Sequence, residues 1–386
     1  MFKRPTPPHS VLAFAAITLL CIYKCATNRG QQEILPKSFG QIYERTDTNT
    51  WRVQCFDNNF RASIPIYKKG GCYYTTYDWD RNKIANSDTI FVSVHGSDRN
   101  DGLTRGNAKL TINAALCSNR QTIVLLEGTY MAGINFENNT TLANINFIGE
   151  GDVVIDNNGD APFNVVGAVY IRNISFTNGN KGSLRTFLKD KNTKCTYVEC
   201  KFNNSIIDDE KIGKAKSLGG LRIQGGTHFL YKCVASDNGY DGFNYHAAPD
   251  GSGNSPHVVE VECYAFNNGV YNQYESNNAS TAHDGTHIIR LNCVYNKSHG
   301  GIVADVHNGT VSFCVGCTAS SSMDLGTKYR HYQANYFCAS NATMYLLGCK
   351  STNSMYDLTC LNKATVFSDV NYSRKFIEDG NFSVLQ

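Results

Sequence analysis

Histidine, carboxylate and tyrosine side chains are concentrated between residues 228 and 307. Seven of the ten histidines of the chain lie in this range, and the segment "NNASTAHDG" carries the adjacent pair His283 and Asp284. Imidazole, carboxylate and phenol groups are the groups that transfer protons in enzyme active sites. Their concentration predicts general acid–base chemistry in this part of the chain.

A polar residue follows three regularly spaced cysteines at a constant distance. Twelve residues after Cys233, Cys263 and Cys293 come Tyr245, Glu275 and Asp305. If each cysteine marks one turn of a repeat, these side chains form an outward row on neighbouring turns. We predict that the row and the polar residues around it form one site. Its predicted catalytic residues are Asp241, His246, Glu275, His283, Asp284 and Asp305, and its predicted substrate-binding residues are Tyr245, Tyr271, Tyr274, Arg290, His299 and His307.

Two reaction types fit these residues. An inverting glycoside hydrolase needs two carboxyl groups roughly 6.5 to 9.5 Å apart, which Glu275 with Asp305, or Asp241 with Asp284, would supply. A lyase or a C5-epimerase needs a base, a group that neutralises the uronate carboxylate, and a proton donor.

The sequence offers candidates for each of the three roles that a lyase or an epimerase requires. His283 or His246 would be the base, Arg290 or a bound cation the neutralising group, and Tyr245 the donor. If the carboxylates of Asp241, Glu275, Asp284 and Asp305 converge, they would also bind Ca²⁺ through oxygen ligands.

The elements that position these residues belong to a repeat marked by cysteine. Cys200, Cys233, Cys263, Cys293, Cys317 and Cys349 are separated by 33, 30, 30, 24 and 32 residues, and each follows an alternating, strand-like segment. Ser175 takes the place of the cysteine in an earlier copy. A short strand followed by asparagine-rich turns at this period predicts a solenoid of stacked parallel strands.

The alternation within one copy, "HIIRLNC", predicts which residues form the core. It places Ile289, Leu291 and Cys293 on an inward face and Ile288, Arg290 and Asn292 on the outward face. Cysteines of one row in a parallel ladder point the same way, so we predict buried thiols for the row. Outside the row, Cys55 and Cys72 are the more credible disulfide.

Two further segments resemble a known group of proteins. "IFVSVHGSDRNDGLTRGNAKLTINAAL", residues 90–116, and the following "TIVLLEGTY" are similar to the opening of right-handed parallel β-helix proteins of the pectate-lyase-like superfamily. The resemblance covers residues 88 to 360. It implies an all-β, single-stranded parallel β-helix with an N-terminal capping helix. Locally, "DGFNYH", "STAHDG" and "VADV" resemble phage and bacterial surface β-helix proteins.

Charge and hydropathy divide the chain into four predicted segments. Residues 1–26 carry Lys3, Arg4 and Lys24 around a short apolar run and are predicted to be a signal peptide rather than a signal anchor. Residues 27–88 form an N-terminal extension, 89–362 the β-helix and 363–386 a C-terminal tail.

Removing residues 1–26 leaves 33 basic and 33 acidic residues. A neutral chain without a basic tract excludes nucleic acid as the expected partner. A secreted or cell-surface location is expected, with membrane attachment only if the first segment is retained.

These features predict a polysaccharide-active β-helix, either a glycan lyase or a glycoside hydrolase. One alternative is a non-catalytic glycan-binding or adhesive β-helix. Another is a uronate C5-epimerase, although "TAHDG" keeps the His-Asp of such enzymes and lacks the preceding Asp-Pro.

Overall fold

The computed structural model describes residues 39–56, 59–85, 88–180, 182–205, 219–269, 277–323 and 327–385. The predicted signal segment lies outside these residues, as do Tyr271, Tyr274 and Glu275. Within the described residues no helix is long and apolar enough to cross a membrane.

Three long parallel ladders run side by side through the described part of the chain, and each turn of the chain adds one strand to each ladder. The predicted parallel β-helix is therefore confirmed. The first sheet contains Thr89–Val92, Thr122–Met131, Ile145–Asp156, Val169–Arg172, Lys194–Val198, Thr227–Tyr231, His257–Val261, His287–Leu291, Val311–Val315, Thr343–Leu347, Thr365–Ser368 and Asn381–Val384. The second sheet contains Ser175–Thr177, Lys201–Asn203, Val234–Ser236, Tyr264–Asn268, Val294–Ser298, Thr318–Ser320 and Lys350–Thr352, together with the second halves of Thr122–Met131 and Ile145–Asp156. The third sheet contains Thr141–Leu142, Phe163–Val165, Leu184–Phe187, Leu221–Gln224, Phe243–His246, Ser280–Ala282, Val303–Val306, Ala334–Ala339, Tyr356–Leu361 and Lys375–Glu378.

The bend between the first and second sheets repeats one backbone conformation. A residue in the left-handed region, with φ between 52° and 65°, occurs at Asn173, Glu199, Lys232, Glu262, Asn292, Gly316 and Gly348. The next residue points into the core, and it is Ile174, then each cysteine of the predicted row. Ile174 rather than Ser175 therefore takes the earliest position, since Ser175 pairs with Lys201 and not with Cys200.

This bend also corrects the predicted inward face of "HIIRLNC". Ile288, Arg290 and Cys293 point into the β-helix, whereas Ile289 lies on the outer surface under the N-terminal region. A left-handed residue bends the chain and interrupts the alternation of a regular strand. Extending the alternation across Asn292 therefore assigned the wrong face to every residue before it.

The cysteine row consists of buried thiols, as predicted. Each Sγ donates to a backbone oxygen of the preceding turn; for example, Cys317 Sγ lies 3.1 Å from Arg290 O and Cys349 Sγ lies 3.1 Å from Cys314 O. These weak hydrogen bonds satisfy the thiols within a closely packed core.

The predicted disulfide between Cys55 and Cys72 is wrong, because both cysteines are free thiols. Cys72 pairs with Lys69, which pairs with Thr50. Cys55 lies five residues beyond Thr50, about 16 Å along the strand, whereas a disulfide requires Cα atoms within about 7 Å.

The N-terminal region forms a small antiparallel sheet of Tyr43–Arg45, Thr50–Val53, Ile66–Lys69 and Cys72–Thr75, with helix Phe39–Ile42 before it and the 3₁₀ helix Trp79–Asn82 after it. Its aromatic side chains stack on the outer face of the first sheet, as Trp79 does on Tyr231 with ring centroids 4.8 Å apart. Aromatic stacking thus fixes this region to the β-helix.

The two ends of the β-helix differ from each other. Near the N-terminal end, helix Ile112–Leu116 follows the 3₁₀ helix Arg105–Asn107 and buries Ile112 and Ala115 in the main core. A third 3₁₀ helix spans Thr327–Tyr332. At the C-terminal end, the ladders continue past the predicted boundary at residue 362 to Val384, because Lys375–Glu378 and Asn381–Val384 still pair in parallel.

Candidate functional site

Three consecutive turns of the third sheet bring histidines together on its outer face. His246 ends the strand Phe243–His246, His283 follows Ser280–Ala282, and His307 follows Val303–Val306. These strands pair in register, and His283 N donates to Tyr245 O at 3.0 Å. We call His246, His283, Asp284 and His307 the His–Asp cluster.

Asp284 holds two of the histidines at once. Its Oδ2 lies 3.0 Å from His246 Nδ1, and its Oδ1 lies 2.6 Å from His307 Nδ1. The third imidazole, that of His283, stacks on His246 with ring centroids 4.2 Å apart and lies 5.2 Å from the ring of His307. The predicted association of His246, His283 and Asp284 is therefore present, and His307 belongs to the same group.

The local backbone explains how Asp284 reaches two turns. Asp284 has φ of 55° and His307 has φ of 73°, and aspartate and histidine are among the residues that tolerate this left-handed conformation. Gly285 N donates to Thr310 Oγ1 at 3.2 Å, which fixes the loop to the next turn. The carboxylate is thereby held between the two turns that carry His246 and His307.

Ionisation within the cluster follows from these contacts. The hydrogen bonds from His246 and His307 lower the pKa of Asp284, so that its carboxylate stays ionised. The hydrogen bond to Asp284 raises the pKa of His307, while burial lowers the pKa of His283 well below its usual value. The cluster thus combines an anion, an imidazole that favours its protonated form and an imidazole that stays neutral.

Exposure decides which imidazoles can meet a ligand. The side chain of His246 is 19% exposed and that of His307 is 52% exposed. Nδ1 of each ring donates to the ionised carboxylate of Asp284. His246 and His307 therefore both reach the protein surface beside Asp284.

Two arginines missed by the sequence prediction lie on the same outer face. Arg185 and Arg222 pair directly across neighbouring strands, and Arg222 pairs in turn with Asn244. Each has a buried Nε without a hydrogen-bond partner. Arg222 is a diagonal neighbour of His246, about 8 Å away between Cα atoms. The repeated segments "SLRTF" and "GLRIQ" are the sequence signal that would have identified them.

Three predicted site residues are instead inside the β-helix. Tyr245, Arg290 and Asp305 are fully buried. Arg290 makes a bidentate pair with Asp305, at 2.9 and 3.0 Å, and Tyr245 donates to Glu260 at 2.8 Å. Each lies two positions after a core residue of its own strand, namely Phe243, Ile288 and Val303, and therefore points inward with it, so the prediction of an outward row was wrong.

The buried group extends across all three sheets. Glu260 accepts further hydrogen bonds from Ser280 at 2.7 Å and from Tyr295 at 2.5 Å, and Arg290 donates to Ser280 at 2.9 Å. Burial raises the pKa of Glu260 to about 7. We call Tyr245, Glu260, Ser280, Arg290, Tyr295 and Asp305 the core polar network, and its role is structural.

Asp241 and His299 lie away from the cluster. Asp241 is buried at the start of its strand, where Oδ1 accepts from Asn278 N at 2.7 Å and Oδ2 from the side chain of Asn244. The backbone oxygen of His299 accepts from Asn277 N at the turn that enters the third sheet. That turn is at the opposite end of the strands from the His–Asp cluster, about 13 Å away for a four-residue strand.

The three predicted Ca²⁺ ligands that lie within the described residues do not converge. Asp305 faces the interior, Asp241 is hydrogen-bonded within its turn, and Asp284 faces two imidazoles. Within the described ranges, the group whose ligand atoms lie within 4.8 Å of one another is Glu260, Cys263 and Cys293, all buried in the core.

Comparison with known proteins supports the fold. No family model matches the chain, and no curated protein matches it either. The pectate lyase Pel9A is 16% identical, with a TM-score of 0.52 over 78% of this chain and 81% of that one. A rhamnogalacturonan lyase is 11% identical, with a TM-score of 0.48 over 76% and 87% of the two chains. The similarity to the pectate lyase supports the parallel β-helix fold of this chain.

Proposed function

We propose that this chain is a polysaccharide lyase that cleaves a uronate-containing glycan by β-elimination. The observation that carries the proposal is the sharing of Asp284 by His246 and His307 on the outer face of the third sheet. Arg222 and Arg185 lie beside them on the neighbouring turns. In this proposal the histidines supply a base and an acid, and the arginines supply a cationic group for the substrate carboxylate.

Each residue then has a defined role. His246 Nε2 removes the proton from C5 of the uronate, while Arg222 and Arg185 stabilise the negative charge that develops on its carboxylate. The C4–O bond breaks as the C4–C5 double bond forms, and the imidazolium of His307 gives its proton to the departing oxygen. Asp284 orients both rings and stabilises each protonated form. The products are an unsaturated uronate and a new reducing end.

Hydrolysis fits the described residues less well. An inverting hydrolase needs one carboxyl group with a raised pKa to act as the acid. Asp284 has a lowered pKa, and the carboxylate of Asp241 is hydrogen-bonded to Asn278 and Asn244. The imidazoles are therefore the better proton-transfer groups of this surface.

The proposed substrate is outside the cell, which agrees with the predicted export of the chain. The test is a panel of uronate and neutral polysaccharides incubated with the full-length protein. The proposal expects ultraviolet absorbance from an unsaturated uronate and an equal amount of new reducing ends. Reducing ends without unsaturation would indicate a hydrolase, exchange of the C5 proton with solvent without cleavage would indicate an epimerase, and binding without any product would favour an adhesive protein.

A further inference from the structure

A second polar site lies around the edge of the third sheet from the His–Asp cluster. It is a cleft of about 540 Å³ where the N-terminal region meets the β-helix. A volume of this size accommodates a small ligand or one sugar unit of a polymer. Arg61, Lys189, Asp190, Lys191, Ser252, Gly253, Asn254, Ser255, His257, Gly285 and His287 line the cleft.

The walls of the cleft are held by hydrogen bonds between distant parts of the chain. Arg61 joins the N-terminal region to the β-helix, with its backbone N 3.0 Å from His257 Nδ1 and its Nη2 2.9 Å from Ser255 O. Asn254 Nδ2 donates to Leu188 O at 2.9 Å, and Ser255 Oγ donates to Asp284 O at 2.5 Å. The walls of the cleft are therefore fixed by the fold.

Cations predominate in the cleft. Arg61, Lys189 and Lys191 face one acid, Asp190, which leaves a formal charge of +2 from three cations and one anion. The oxygens of Asp190 accept from Asn192 N at 3.0 Å and Thr193 Oγ1 at 3.2 Å, within its own turn. Among the ion pairs of the described residues, none includes the three cations.

Arg61 is the central donor. Its Nε is buried without a hydrogen-bond partner, and a buried charged donor left unsatisfied is costly. The pKa of the neighbouring His257 is consistent with this positive environment. Burial, followed by the charge of Arg61, lowers that pKa to about 2. His257 is therefore neutral, and its Nδ1 accepts the hydrogen bond from Arg61 N.

We propose that this cleft binds an oxyanion, namely a carboxylate, sulfate or phosphate group carried by a glycan, with Arg61 as the principal ligand. A planar guanidinium with ammonium groups beside it suits the geometry of such groups. Gly285 lines the cleft directly after Asp284, so the cleft adjoins the His–Asp cluster. Oxyanion binding here does not depend on the lyase activity, since it uses different side chains.

The test is isothermal titration of the full-length protein with sodium sulfate, inorganic phosphate and D-galacturonate at constant ionic strength. Sodium chloride is the reference. We expect saturable binding of at least one oxyanion, and the strongest binder identifies the group that the cleft accepts. Arg61→Gln should weaken binding about tenfold or more, as expected for loss of a charged hydrogen-bond donor.

Matched variants make the outcome decisive. Arg99→Gln, an identical change at an exposed position outside the cleft, should bind as the wild type does. If Arg61→Gln does not fold, the exposed pair Lys189→Gln and Lys191→Gln replaces it, and weaker binding is again expected. His246→Ala should retain oxyanion binding even though it would abolish the proposed lyase activity. The proposal is overturned if no oxyanion binds above the chloride reference, or if the cleft variants bind as tightly as the wild type.

Discussion

Arg290→Met should destabilise the fold without abolishing the catalytic activity. The change deletes two charge-assisted hydrogen bonds to Asp305 and one hydrogen bond to Ser280, and it leaves the Asp305 carboxylate buried without a counterion. Breaking a buried ion pair from one side costs about 3–5 kcal/mol. At about 2 °C per kcal/mol for a chain of this size, the melting temperature should fall by about 6–10 °C.

The assay is thermal unfolding followed by circular dichroism, with turnover measured well below the transition. A double variant, Arg290→Met with Asp305→Leu, should recover most of the lost stability, because it removes both buried charges. Turnover per folded molecule should stay close to that of the wild type in both variants. Loss of turnover by a folded Arg290→Met protein would refute this reasoning and return Arg290 to the site, as the sequence first indicated.

Three further predictions concern the cluster and the core. Asp284→Asn should lower the rate constant by about 10²–10⁴-fold; because it also removes the group that raises the pKa of His307, the alkaline limb of the pH–rate profile should move to lower pH. Glu260→Gln should flatten the pH dependence of stability measured by urea unfolding: because the pKa of Glu260 is raised from 4.5 to about 7, its protonation stabilises the wild type at low pH, and about 3 kcal/mol of this stabilisation is lost between about pH 4.5 and pH 7. Arg222→Met should reduce turnover of a uronate polymer at least tenfold in steady-state kinetics and leave the melting temperature within a few degrees of the wild type.

The sequence predicted the fold because cysteine marks the same structural position on each turn. Every cysteine of the row follows a left-handed bend and points into the core, so its spacing counts the turns directly. The adjacency of His246 and the pair His283 and Asp284 was also predictable, since each lies at the end of a strand of the third sheet.

The offset of twelve residues from each cysteine did not predict equivalent positions, because the connection between the second and third sheets varies in length. Asp305 and Tyr245 do occupy equivalent positions, but the residue between them in the ladder is Ala282, nineteen residues after Cys263. The connection in that turn is seven residues longer, so an offset of twelve residues from Cys263 does not reach this position. Offsets along a solenoid therefore hold only where the loops have equal lengths.

The orientation of side chains was the other source of error. Arg290 and Asp305 are charged, and charged residues are seldom buried, so the sequence favoured an outward site. Each is instead the partner of the other in the interior. Arg185 and Arg222 were missed for a different reason. They are 37 residues apart in the sequence because the connection between their strands is long, and their direct pairing therefore could not be predicted from the sequence.

The most direct test of the proposed chemistry is the initial rate at which unsaturated uronate forms from a uronate polymer, compared between the wild type, His246→Ala and His299→Ala. The wild type and His299→Ala should release the unsaturated product at similar rates, because His299 lies at the far end of the strands. His246→Ala should lose the activity. Undiminished product formation by folded His246→Ala protein, or chain cleavage by the wild type without unsaturation, would contradict the account.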